Sequence, residues 1–397
     1  MRPLSTFLLL GIIGCVPRPD ERPSQRPSAP VVEQPTAAQT AAIPEPEPRP
    51  LVLAVGGDVT LGYHHEEWFD EQVEKGRSRE EMFAYGFKNV RPLVPDEELF
   101  VVNLECPFTA RGEKVPKNFN FRARPEFVAT LVAGGVDAVS LANNHLMDYG
   151  LEGLLDTMAV LDEQGIPYFG AGRNLAEARR PAIIEWQGMK VALLGYFFLG
   201  TRNIEPPVVI ATETTPGVAG HFSDVDQMER MLREDITLAR TQADLVIPFF
   251  HWGRERYFLP EPYQARLGRA AIEAGASLVL GSHPHVLQGM ELFNGVPIAY
   301  SLGNFVFGGN WNPQPKQTAL FKARFSRAGY LSSEIIPLLS DAYPLLPAQP
   351  QTVDAQQAEE ILRLIALYSS LFETPLPELP PPPPEYRVEP PPLTAAR

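Results

Sequence analysis

The apolar stretches of this chain are short, and several of them stop at a polar motif. Runs at 136–141, 245–250 and 278–281 read as buried strands; they lead into Asn143-Asn144-His145, His251-Trp252-Gly253 and His283-Pro284-His285. Two further strand-like runs, 51–55 and 99–102, lead into Gly57-Asp58 and Asn103-Leu104-Glu105. Helical periodicity appears over 125–133, 151–164, 224–243 and 262–274, and the last three each lead into a strand. Alternation of this kind predicts an α/β domain from 51 to about 345. Two hairpins stand within it, one turning at Gln187-Gly188 and one at Asn294-Gly295, a strong type I′ signal. Antiparallel hairpins after parallel strands imply a mixed sheet or two sheets facing each other. Segments 318–325 and 331–337 read as closing strands, and 353–371 as a helix in a C-terminal segment, 346–374.

The two ends have another character. Arg2 precedes the apolar run Phe7-Leu8-Leu9-Leu10-Gly11-Ile12-Ile13, too short for a bilayer span of roughly 20 residues and fitting a secretory leader. The leader ends in Ile12-Ile13-Gly14-Cys15, which resembles a bacterial lipobox. That resemblance implies lipidation of Cys15, with residues 1–15 as leader and lipobox. The protein would then be extracytoplasmic, lipid-anchored to the cell membrane or outer membrane. Residues 16–50 are rich in Pro, Ala, Glu, Gln and Thr, and read as an extended tether. The tail 375–397 carries two proline runs and reads as disordered or polyproline-like. The net charge of −14 argues against nucleic acid as a partner, because like charges repel. Two cysteines make no disulfide framework.

The polar motifs carry the chemistry. Ligands bind past the carboxyl ends of strands in α/β sheets. A mixed set of Asp, Glu, Asn and His there points to one or two divalent ions, with Mn, Zn, Fe and Mg all within its range. Asp58, Glu105, Asn144, His251, His283 and His285 are the candidate ligands, and His145 is a candidate ligand or proton donor. Two ions about 3.5–4 Å apart generate hydroxide and clamp a phosphoryl group, so phosphoester hydrolysis is the natural reaction class. Arg122 and Arg254 are candidate contacts to an anionic substrate. His64, His65 and His221 fit no such pattern and read as surface or loop residues.

Seven motifs in order resemble the CapA family of capsule-synthesis proteins, named for poly-γ-glutamate capsules. They are Gly56 to Gly62 (GGDVTLG), Val102-Asn103-Leu104-Glu105, the segment around Arg122, LANNHLMDYG ending at Gly150, HWGRE at His251, GSHPHV around His283, and YSLGNFVF ending at Phe307. That family is similar in turn to calcineurin-like metallophosphoesterases. The resemblance implies a four-layer α/β/β/α sandwich with a dinuclear metal site. It implies Asp58 and His285 at a first ion, Asn144, His251 and His283 at a second, Glu105 bridging, and His145 as general acid. Two positions depart from the phosphoesterase pattern. Thr60 stands where a His is expected, and Glu105 replaces an Asp. The functional expectation is a surface lipoprotein in capsule or poly-γ-glutamate synthesis or export, with a hydrolase-like metal site. An anionic polymer, a phosphoester or a capsule-synthesis complex would be its partners. The alternatives are a non-catalytic polymer- or partner-binding scaffold on the same fold, and an envelope metallophosphoesterase unrelated to capsule.

Overall fold

The strand Leu51–Thr60 is buried at all ten positions, which only a strand covered on both faces permits. The structure, a computed structural model, describes residues 49–203, 205–309, 315–341 and 348–381. Cys15 and the expected leader and tether up to 48, and the expected tail beyond 381, lie outside the described residues. In chain order the elements begin with β1 (Leu51–Thr60), α1 (His64–Glu74), α2 (Arg79–Tyr85), β2 (Leu99–Leu104), α3 (Val128–Gly134), β3 (Ala138–Ser140), α4 (Gly150–Gln164) and β4 (Tyr168–Phe169). Next come β5 (Ala171–Gly172), α5 (Leu175–Ala178), β6 (Ala182–Trp186), β7 (Met189–Phe198), β8 (Gly217–Val218), α6 (Val225–Ala239), β9 (Leu245–Trp252) and α7 (Pro262–Glu273). The last are β10 (Val279–Ser282), β11 (Met290–Phe293), β12 (Val296–Ala299), β13 (Asn304–Phe307), β14 (Gln317–Ser326), β15 (Gly329–Asp341), β16 (Gln349–Thr352) and α8 (Ala355–Ser369).

The strands form two mixed sheets and a small two-stranded pair, β5 with β8. The first sheet runs β16-β15-β14-β1-β2-β3-β4, with β13 also paired to β1; the second runs β11-β12-β10-β9-β7-β6. Side chains alternate across a strand, so β1 serves two cores. Leu51, Leu53 and Val55 face inward and meet Val191, Leu193, Ile247, Phe249 and Leu280 of the second sheet. Ala54, with Phe100 and Val102 of β2, faces outward onto Phe69, Met82, Leu131 and Leu154 of the first helical layer. On the far side, Leu194, Val246 and Phe250 pack against Met228, Leu232, Ile236 and Leu267 of α6 and α7. Helix, sheet, sheet, helix: the four layers implied by the resemblance are present.

Both hairpins form where Gln187-Gly188 and Asn294-Gly295 turn the chain. All four turn residues have positive φ, the type I′ requirement. Several expectations need correction. No sequence signal marked α1 and α2, and the histidines at the start of α1 are not on the surface: His64 and His65 are 3% and 1% exposed. His221 does lie in a loop, where it accepts a hydrogen bond from the Asp224 amide. The body does not end at 345, because β16 extends the first sheet against β15 and α8 buries Ile361 and Ile365 in the inter-sheet core. The tail attaches later than residue 375. Leu292 and Thr374 are hydrogen-bonded through the backbone, Leu376 is buried, and Glu378 accepts from the Tyr330 hydroxyl and the Ser333 amide. Among the described residues no helix is long and apolar enough to cross a membrane.

Candidate metal centre

Parallel pairing sets the site. Register places Asp58 of β1 level with Asn103 of β2 and Asn304 of β13, and His251 of β9 level with Ser282 of β10. The two sheets thus present their polar strand ends to one another. Gly56 and Gly57 make this approach feasible. The ladder between β1 and β2 shifts register there, and a Cβ on Gly57 would strike the carbonyl of Gly303. With no side chain at Gly57, the Asp58 amide bonds to that same carbonyl at 3.0 Å.

Asp58, Glu105, Asn144, His145, His251 and His283 are all buried, and His285 is nearly so. Glu105 lies at the middle. Its Oε1 is 3.6 Å from His251 Nε2, 3.8 Å from His285 Nε2 and 4.0 Å from His145 Nε2. These distances are too long for hydrogen bonds. Neither carboxylate oxygen of Glu105 has a hydrogen-bond partner, although the side chain is fully buried. A buried carboxylate in that state is costly unless a cation meets it. Burial, then the neighbouring charge of Asp58, pushes its pKa well above the usual range.

The imidazoles tell the same story. His251 Nδ1 lies 3.1 Å from the Ser282 hydroxyl and 3.3 Å from Asn103 Nδ2. Its Nε2 faces Asn144 Oδ1 at 2.9 Å and His283 Nδ1 at 3.0 Å. The amide of Asn144 is oriented too: its nitrogen donates to Glu205, leaving the oxygen facing the histidines. Burial drives the pKa of His251 and of His283 well down, with neighbouring histidines adding to it, so both imidazoles stay neutral and each keeps one ring nitrogen with a lone pair. Neutral imidazoles, an amide oxygen and an unpartnered carboxylate converging on one region fit a metal ion. Glu105, His251 and His283 have ligand atoms within 4.8 Å of one another, and so have Asp58, Glu105 and His285. These groups could hold one or two ions, with Glu105 common to both.

The second group has its own supports. His285 Nδ1 lies 3.1 Å from Asp58 Oδ2 and 2.9 Å from Asn304 Oδ1. Burial opposes its charge, but the bond and charge of Asp58 outweigh this and raise its pKa. Asp58 Oδ1 accepts from Asn103, whose own Oδ1 accepts from Asn143. Thr60, at the position of the missing histidine, donates to the backbone carbonyl of Glu105. Its hydroxyl is committed to the chain. His283 and His285 both have positive φ, 93° and 56°, a strained state that concentrates at functional sites.

His145 is held apart from the two groups. Its Nδ1 meets Asp148 Oδ2 at 2.6 Å, and its ring packs on Phe121 at 4.3 Å. Burial lowers its pKa in spite of the charge of Asp148. One residue the sequence reading passed over organises this region. Lys117, 11% exposed in its side chain, places Nζ 2.6 Å from Asp148 Oδ1, 3.1 Å from Glu205 Oε2 and 2.8 Å from the Asn144 carbonyl. It thereby braces the partner of His145 and the partner of Asn144 at once. A lysine in a loop carries no periodic or motif signal, and only the fold shows its neighbours.

Of the two candidate substrate arginines, Arg122 stacks on Tyr149 at 4.2 Å and Arg254 on Tyr257 at 3.9 Å. Neither forms an ion pair among the described residues. Cys106 is buried, accepts from the Leu61 amide, and has its thiol pushed up to about 12 by burial, so it is an inert packing group.

Comparison with known proteins agrees with the motif order. The family described as "Bacterial capsule synthesis protein PGA_cap" matches residues 52–309. Capsule biosynthesis protein CapA of Bacillus anthracis is 30% identical over 305 residues, covering 75% of this chain and 69% of the relative. PGA biosynthesis protein CapA of Bacillus subtilis (strain 168) is 30% identical over 312 residues, covering 77% and 75%. A probable polyglutamine synthesis accessory protein of Mycobacterium tuberculosis is 30% identical over 214 residues, 53% of this chain and 55% of the relative. The matched span holds every strand end that supplies the centre, and the chain belongs to the bacterial capsule synthesis protein PGA_cap family.

Proposed function

We propose that this protein acts at the cell envelope in making or exporting a polyglutamate-type capsule polymer, with a metal-dependent hydrolase-like centre. The names of its relatives, capsule biosynthesis and PGA biosynthesis, support the polymer reading. The observation that carries the hydrolase reading is Glu105: a fully buried carboxylate, unpartnered, with three imidazole nitrogens within 3.6–4.0 Å. Glu105, Asn144, His251 and His283 would hold one ion, and Asp58, Glu105 and His285 a second. A divalent ion would supply Lewis acidity to a carbonyl or phosphoryl oxygen. The chain's own residues supply the rest. His145, fixed through Nδ1 by Asp148, presents Nε2 to the centre; burial lowers its pKa and keeps the ring neutral at rest, so it would take a proton from the attacking water and pass it to the leaving group. Arg122 and Arg254, stacked and free of internal carboxylates, orient an anionic group. The leader and Cys15 would anchor the body to a membrane, an inference from sequence alone.

The purified chain, assayed with Mn²⁺ or Zn²⁺ against polyglutamate and generic phosphodiesters, tests this. Turnover that His145→Ala abolishes while metal stays bound supports it; no turnover with any metal removes the catalytic claim. A second reading, a polymer-binding scaffold, is favoured by Thr60, whose hydroxyl offers the centre nothing. In that case His145→Ala leaves polymer handling intact.

A further inference from the structure

A cavity of about 340 Å³ opens beside the centre, lined by Leu199, Glu205, Gly253, Arg254, Glu255, Glu261 and His283. That volume is in the range of small-ligand pockets. Because His283 forms part of its wall, whatever fills the cavity lies against the candidate ligands. Its charges sort by commitment. Glu205 is engaged by Lys117 and Asn144, and Glu261 by the first turn of α7. Arg254 and Glu255 have no ion pair or side-chain hydrogen bond among the described residues. Arg254 places its guanidinium carbon 3.9 Å from the Tyr257 ring centroid, and its N–H groups have no acceptor among the described residues.

The loop bearing this pair is fixed to the centre. The Arg256 amide donates to the Pro284 carbonyl at 2.8 Å, with Arg256 at φ 62°. Gln288 Nε2 donates to the Tyr257 carbonyl, and the Gly253 amide to the Tyr263 hydroxyl. Pro284 sits between two candidate ligands, so the loop and the centre share one backbone frame. Unpaired charges of both signs, adjacent in sequence and held in place, fit a ligand that itself carries both.

We propose that this cavity receives a free amino-acid terminus, with Arg254 taking its carboxylate and Glu255 its ammonium, so that the centre works at a chain end and not along a polymer's interior. This rests on the polyglutamate reading above and narrows it. A purely anionic ligand would meet the uncommitted Glu255 here as well as Arg254. A zwitterionic end meets complementary charge.

Two probes test it by calorimetry on the full chain in Mn²⁺ buffer: γ-linked triglutamate with a free amine, and the same peptide N-acetylated. The free amine is expected to bind at least tenfold tighter. Glu255→Gln should abolish that preference while leaving the acetylated peptide's affinity unchanged, and Arg254→Gln should weaken both peptides. Equal binding of the two peptides, or a preference that survives Glu255→Gln, overturns the terminus proposal and leaves the polymer reading standing. Failure of both peptides to bind overturns the two together.

Discussion

Glu105 shows how a single side chain can report what a site is for. Its two oxygens are buried and lack donors, and its pKa is driven up by burial and by Asp58. A fold would select against that arrangement unless a cation resolved it. Glu105→Gln removes the charge but keeps the shape. It is expected to weaken Mn²⁺ binding at least tenfold while the denaturation midpoint of the metal-free protein holds or rises. Equal Mn²⁺ affinity by calorimetry would refute the assignment. Lys117 makes the opposite case. Lys117→Met leaves Asp148 and Glu205 without their shared cation, and roughly 3 kcal/mol of stability should be lost by chemical denaturation. Lys117→Arg should recover part of it. The ligand types and their places at or near strand ends were legible in the sequence, because such chemistry needs those side chains; Asp58 and His251 lie within β1 and β9 themselves. Lys117, Asn103 and Asn143 were not legible as supports, since their partners lie up to 148 positions away in the chain.

At the scale of elements, the site depends on how closely β1 approaches the turn before β13. Gly57 is the residue that allows it. Gly57→Ala places a methyl against the Gly303 carbonyl, with an expected cost of about 1–3 kcal/mol and a matching fall in metal affinity as Asp58 shifts. A variant of unchanged stability and affinity would show that the contact is slack. Strands with long apolar runs were readable because burial on both faces favours an unbroken apolar stretch, as over Leu51 to Val55 in β1. The hairpins were readable from their turn residues. Helices α1 and α2 escaped because their faces are mixed: His64, His65 and Phe69 are the buried positions of α1, and two of those are polar. Strand β16 escaped because Gln349-Pro350-Gln351-Thr352 has no strand-like pattern; it is held by pairing with β15.

Across the whole molecule, buried neutral histidines tie stability to pH. His65 is fully enclosed, neither ring nitrogen has a partner, and burial lowers its pKa to about 4 from an ordinary 6.5. Between those values the unfolded chain binds a proton that the folded chain refuses. Stability contributed by neutral His65 is therefore complete above about pH 6.5 and lost as pH falls toward 4, by at most about 3 kcal/mol. His65→Leu should flatten the pH dependence of the denaturation midpoint over that window; an unchanged slope would contradict it. The sequence misplaced this residue because a histidine at the start of a charged segment looks solvated until the fold covers it. The four-layer architecture, by contrast, was implied by the family resemblance that the motifs across residues 51–310 carry. Anchoring is a whole-molecule prediction too: Cys15→Ala should move the protein from the membrane fraction to the soluble one, and retention in membranes would refute lipidation there.

The account turns on whether Glu105, Asn144, His251 and His283 share an ion. Anomalous diffraction at the manganese edge, from crystals grown with Mn²⁺, measures this directly. The account predicts a peak within about 2.0–2.3 Å of the Glu105, Asn144 and His251 ligand atoms and of His283 Nδ1. A well-ordered map with no peak among those atoms would contradict it.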